Sequence, residues 1–181
     1  MPRGGLAVDG NGDLFVVGEF RNSLTLGGAT ITSTTPGAFD IFVFKLSGSD
    51  GAPLWDHTIA SGSSNHLSAY DAEVDPEGNV VVVGDFVGTT DFGAGNLLTG
   101  LGQRDAWAAK FSAATGAHVW SFSYGSAGSG TTSGDDFALG VAVDGNNTIA
   151  ITGAFEGSVD FDGTQLGSAG LTDVFVVRLS D

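Results

Sequence analysis

Cysteine is absent from this 181-residue chain, so no disulfide staples it and no thiolate can hold a metal. Basic residues are scarce: six Lys and Arg stand against twenty-one Asp and Glu, a formal net charge of −15. Such a surface repels phosphate backbones and anionic headgroups, so neither nucleic acid nor direct membrane insertion is expected. Cations, neutral glycans and basic protein patches remain open as partners. Long apolar runs are missing, and no window carries apolar residues at sustained helical spacing. Only four prolines interrupt the chain.

What is present is glycine, thirty residues of it, among short apolar runs that make 41% of the chain hydrophobic. That content can bury a core, and the brevity of the runs predicts an all-β fold. One sentence recurs three times: "GLAVDGNGDLFVVGEF" at 5–20, "DAEVDPEGNVVVVGDF" at 71–86 and "GVAVDGNNTIAITGAF" at 140–155. The aligned aspartates Asp9, Asp75 and Asp144 are 66 and 69 residues apart. The equivalence extends to Gly18, Gly84 and Gly153, to Phe20, Phe86 and Phe155, and to Phe42, Trp107 and Phe175. Self-similarity at such a period marks stacked units or a propeller.

Each unit reads as four strands. An Asp-x-x-Gly turn joins the first two, since aspartate bonds its own main chain and glycine supplies positive φ. The third strand is the "DIFVFKLS", "DAWAAKFS" and "DVFVVRLS" group, and the fourth carries Trp55 or Trp120. The second and third strands are apolar on both faces, as expected of a layer packed between two others. Between them, segments such as "EGSVDFDGTQLGSAGLT" predict an extra hairpin. The tryptophans are expected to pack between units.

The segment "DDFALGVAVDGNNTIAITGAFEGSVDFDGTQLGSAGLTDVFVVRLSD" resembles the bacterial SBBP-type β-propeller repeats, found in tandem in large exported proteins, notably of myxobacteria. The acidic pair, the "GVAVD" hairpin, the "VDF" insert and the "D-x-F-V-V" strand carry the likeness. The resemblance implies a β-propeller arc of three blades of about 67 residues: 1–66, 67–134 and 135–181. The last lacks its outermost strand. About four to eight blades close a propeller, so three make an arc. Met1-Pro2-Arg3 leads into the first repeat without an apolar leader, so the expectation is a piece of a longer array or an oligomerising part-propeller. Self-association or neighbouring blades are the expected partners, and an open end displaying Phe175 and Val177 is the expected contact. The setting implied is extracellular or the cell surface.

Candidate site residues lie in the loops between units. "SGSSNHLSAYD" supplies Asn65, His66, Tyr70 and Asp71, and "SAGSGTTSGDD" supplies Asp135 and Asp136. An aromatic, an amide and carboxylates on one rim suit a glycan, a protein ligand or a cation, or are solvated loop residues. Asp9, Asn11 and Asp13 alternate as calcium ligands do, but Leu14 stands where the calcium loop needs glycine, and a hairpin turn accounts for them better. No other metal site and no cofactor is expected. Lys45, Lys110 and Arg178 recur once per unit, and ion pairs across the blade with Asp40, Asp105 and Asp173 are expected. His57, His66 and His118 occupy non-equivalent positions without ligand spacing. No catalytic motif appears with its context. The expectation is a non-catalytic binding or scaffold module. The alternative is an enzyme domain (hydrolase, lyase or quinoprotein-like) with its site on the rim.

Overall fold

The computed structural model describes residues 4–34, 37–62, 66–93, 95–128 and 133–180. Among them the fold is all-β, with seventeen strands and no α-helix, hence no helix able to cross a membrane. Three larger sheets follow one another along the chain. The first joins β1 (Gly4–Val8), β2 (Leu14–Phe20), β5 (Asp40–Leu46) and β6 (Pro53–Ile59), in that spatial order. The second joins β7 (Leu67–Val74), β8 (Val80–Phe86), β11 (Asp105–Phe111) and β12 (His118–Tyr124). The third has β13 (Phe137–Val143), β14 (Thr148–Phe155) and β17 (Asp173–Ser180). Every pairing is antiparallel. The inserts form the predicted hairpins: β3 (Ser23–Leu26) with β4 (Ala29–Thr32), β9 (Thr89–Asp91) with β10 (Leu97–Thr99), and β15 (Ser158–Phe161) with β16 (Thr164–Gly167).

The repeated aspartate builds the turn between first and second strands. Asp9 Oδ1 accepts from the amides of Asn11 and Asp13, and Asp144 Oδ1 from those of Asn146 and Thr148. Three residues beyond each aspartate the chain enters positive φ, at Gly12 (84°), Gly78 (85°) and Asn147 (60°). Those residue types tolerate the left-handed region, so each turn closes without strain.

Alternation along β5 then divides the apolar residues between two cores. Ile41 and Val43 point toward the second sheet and share a core with Trp107, Phe92 and Phe111. Phe42, Phe44 and Leu46 point the other way, onto the β3–β4 hairpin. The second junction repeats the plan, with Val81, Val83, Ala106 and Ala108 meeting Ile149, Ile151, Phe161 and Phe175. The hairpins therefore sit inside the junctions, contributing Phe92 to one and Val159 and Phe161 to the other. β7, the first strand of the second sheet, lies beside both β1 and β13. Trp55 links sheets as expected, donating from Nε1 to the Ala113 carbonyl at 2.9 Å.

One repeated glycine has a steric reason. A Cβ at Gly84 would lie 1.8 Å from the Ser68 carbonyl oxygen and 2.9 Å from the Trp107 ring. At Gly153 it would meet the Phe137 oxygen at 1.8 Å and the Phe175 ring at 2.7 Å. The bare backbone lets the aromatic of the third strand lie flat across the second.

The open end differs from expectation by one residue of parity. Phe175 is buried and Val177 half-buried, because both face the second sheet. The exposed pair is Val174 and Val176, on the opposite face of β17.

Candidate functional site

The recurring basic residues do not pair with Asp40, Asp105 or Asp173. Antiparallel pairing puts Lys45 beside Phe15, at the end of β5 near the β1–β2 turn, whereas Asp40 pairs with Phe20 at the far end. Lys45 Nζ is 2.9 Å from Asp9 Oδ2 and 3.5 Å from Asp13 Oδ2. Lys110 Nζ is 2.7 Å from Asp75 Oδ2, with both side chains almost wholly buried. In the third unit, among the described residues, Arg178 bonds Thr148 Oγ1, at 3.2 Å, and no carboxylate. The ammonium of Lys45 occupies the place a cation would take between Asp9 and Asp13. Burial pushes the Asp9 carboxyl up, but the Lys45, Asp13 and Asn11 hydrogen bonds outweigh it and hold it below the usual range. Asn11 contributes its amide to the turn.

Asp40, Asp105 and Asp173 instead fasten the insert loops. Asp40 accepts from Ser33 Oγ and the Thr34 and Ser61 amides, Asp105 from the Leu101 and Gly102 amides, and Asp173 from the Ala169 amide.

The non-repeated polar chemistry gathers at the rim between the second and third sheets. Its centre is Asp85, a fully buried side chain in the otherwise apolar β8. His66 Nε2 donates to Asp85 Oδ2 across 2.6 Å, and Tyr70 donates its hydroxyl to Oδ1. Arg104 Nε lies 3.9 Å from Oδ2, and its guanidinium covers the Phe137 ring at 5.6 Å. Tyr70 reaches the carboxylate from the bulge in β7, where the register shifts between Ala69 and Asp71; bulges re-aim side chains in this way. His66 and Arg104 remain about one-third exposed, so the cluster has a buried acceptor and two partly open nitrogenous groups. The equivalents of Asp85 are Glu19 and Ala154, so the cluster belongs to one unit alone. A lone acidic residue inside "NVVVVGDF" was the signal that sequence reasoning passed over.

No protein-family model matches this chain, and no curated protein matches it.

The remaining rim candidates have structural duties. Asp71 Oδ2 accepts from the Val141 amide at 3.0 Å, tying β7 to β13. Asp135 accepts from Ser133 Oγ, and its backbone bridges Arg104. Asp136 is not a solvated rim carboxylate but is buried, accepting from the Ser126 amide at 2.7 Å and the Glu156 amide at 3.0 Å. Asn65 lies outside the described residues.

Burial pushes the Asp136 carboxyl up to about 6, the two amides opposing the shift and the nearby Asp105 charge adding to it. A carboxyl raised in the folded state binds protons there more tightly than in the unfolded chain. Its contribution to stability therefore falls as pH rises from about 4 to about 6. Asp136→Asn should remove that component, and comparing variant and parent melting across pH 4–7 isolates it. Identical pH profiles for the two would overturn the assignment.

A second cluster joins histidines from different sheets. His57 of β6 and His118 of β12 both pack against the Phe111 ring, and His118 Nδ1 meets Asn96 Nδ2 at 3.1 Å. Nε2 of each is buried without a hydrogen-bond partner among the described residues. Burial pushes both imidazoles down, so both are held neutral at pH 7. Among the described residues, no group of three or more His, Cys, Asp or Glu side chains is placed to hold a metal ion.

Proposed function

We propose that the three sheets are successive blades of a β-propeller arc, and that the chain is a non-catalytic binding or scaffold module of an extracellular or cell-surface bacterial protein. The stacking supports the arc: each junction buries the face of one sheet against the next, and β7 lies beside both β1 and β13. The resemblance to SBBP-type repeats supports the setting. The observation that carries the binding role is the contrast between framework and rim. Turn aspartates, glycines and aromatics recur in every unit, whereas His66, Tyr70, Asp85 and Arg104 occur together once. Function resides in what a repeat does not repeat. The exposed parts of the two side chains differ in kind: Arg104 offers guanidinium donors to glycan hydroxyls or backbone carbonyls, and His66, whose Nε2 donates to Asp85, offers Nδ1 as an acceptor.

The His66–Asp85 pair favours the enzyme reading to a degree, since a carboxylate-oriented imidazole is general-base machinery. Against it, Asp85 spends its second oxygen on Tyr70, and no nucleophile bonds His66 among the described residues. A glycan array run with wild type and Arg104→Ala, beside a panel of chromogenic glycosides and esters, separates the two. Binding lost in the variant, with no turnover by wild type, is the expected result. Turnover abolished by His66→Gln would replace the binding module by an enzyme.

A further inference from the structure

The two ends of the stack expose the residues that its internal junctions bury. On the outer face of the third sheet, Val174 and Val176 are 76% and 72% exposed. Their register equivalents in the first sheet, Ile41 and Val43, are 0% exposed, covered by the second sheet. The second sheet's equivalents, Ala106 and Ala108, are buried by the third. At the opposite end Leu6 of β1 is 61% exposed, whereas its equivalents Ala72 and Val141 are buried by the preceding sheet. Each end thus presents residues that an internal junction buries, the third sheet without a counterpart of β6 and β12, which add Trp55 and Ile59 to one junction and Trp120 and Tyr124 to the other.

Two details sharpen the match. The outer face of the third sheet carries a hollow of about 230 Å³, lined in part by Gly140, Ala150, Thr152 and Val176. Gly140 is the equivalent of Gly5, where a Cβ would lie 2.8 Å from the Ala72 amide nitrogen and where β1 touches β7 backbone to backbone. An incoming first strand can therefore seat against Gly140 as β7 seats against Gly5. At the other end, Phe42 and Phe44 already rest on the β3–β4 hairpin, as Trp107 rests on Phe92 of the β9–β10 hairpin. The first sheet thus arrives with the wedge that the internal junctions use.

We propose that a second copy of this chain closes these ends head to tail, the outer face of the third sheet docking on the Leu6–Val8 face of the first. The proposal rests on the reading of the three sheets as successive blades. Head-to-tail contacts close into rings when the rotation fits, and two chains supply six sheets, within the four to eight that close.

Sedimentation equilibrium at micromolar concentration in 0.15 M salt tests it. Wild type should have twice the 18.2 kDa chain mass. Val176→Asp and Leu6→Asp should each be monomeric and still unfold cooperatively, because both sites are solvent-exposed in the single chain, with a midpoint below that of wild type only by the stabilisation that association supplied. An equimolar mixture of the two should regain a dimer, since one intact junction remains between an unaltered first sheet and an unaltered third. Val176→Ser serves the same purpose should either charged variant fail to fold. A monomeric wild type overturns the proposal, as does a Leu6→Asp dimer, which means pairing through the third sheets alone. A ladder of higher masses overturns the closed pair. Val43→Asp distinguishes failure of the underlying reading: buried in the internal junction, it must unfold the chain, and a Val43→Asp protein that melts normally refutes the stacked blades themselves.

Discussion

Trp107→Ala is expected to destabilise the protein by about 3–5 kcal/mol, the range for emptying a fully buried aromatic site. The indole is 1% exposed in the core between the first and second sheets. It packs on Phe92 with ring centroids 4.7 Å apart and donates from Nε1 to the Ser68 carbonyl at 3.2 Å. Truncation leaves a cavity and removes that hydrogen bond, so transfer and hydrogen-bond losses act together. Trp107→Phe should recover most of the loss, because phenylalanine fills this position in the other two units. Urea denaturation reads both variants, and a loss below about 1 kcal/mol for the alanine variant would contradict the packed junction. Trp120 is a weaker counterpart. It is half-buried and stacked on Phe122 at 5.3 Å, so Trp120→Ala should cost about half as much, less than its recurrence alone suggested.

Lys110→Ala should cost about 3–5 kcal/mol, because removing one partner of a buried pair leaves the other charge uncompensated. The Asn79 amide and side chain also donate to Asp75, at 2.7 and 3.0 Å, and keep the loss toward the lower end. The three units form an internal series. Lys45→Ala should cost less, since Lys45 is somewhat more exposed. Arg178→Ala should cost least, because Arg178 is exposed and meets a hydroxyl rather than a carboxylate. Chemical denaturation of the three single variants reads the order directly. Equal losses at all three positions would overturn the account. Replacing Lys110 and Asp75 together by apolar residues of similar volume removes the uncompensated charge but leaves the Asn79 donors unpaired, so the double variant should lose less than the sum of the two single truncations.

Much of the fold was legible because the repeat states each rule three times. The turn aspartates and the two-faced third strand are local or period-two features, and each reappeared in place; the recurring glycine stood out too, but its place beneath the aromatic needed the pairing of second and third strands. The ion pairs were misjudged because Asp40 is near Lys45 in sequence but at the opposite end of the same strand. Only the antiparallel register with β2 brings Asp9 to Lys45. Facing was misjudged at Phe175 by one residue, enough in a strand to exchange inside for outside. The rim cluster was half legible. His66 and Tyr70 stood out in their loop and strand, but Asp85 and Arg104 come from β8 and the segment before β11, and no spacing along the chain relates them.

The cores of this protein lie between its sheets rather than within them. Each internal core draws one wall from one repeat, the other wall and the hairpin from the next, so the heritable unit and the cohesive unit are out of phase by half a repeat. Deleting or duplicating a whole repeat rejoins walls that already match, and the chain can lengthen or shorten by recombination with every new core still complete. A cut inside a repeat instead ruins the two cores on either side of it. Growth by whole repeats is thus the cheap direction for evolution here, and those rim residues of an added copy that have no structural bond like those of Asp71 and Asp136 are free to diverge.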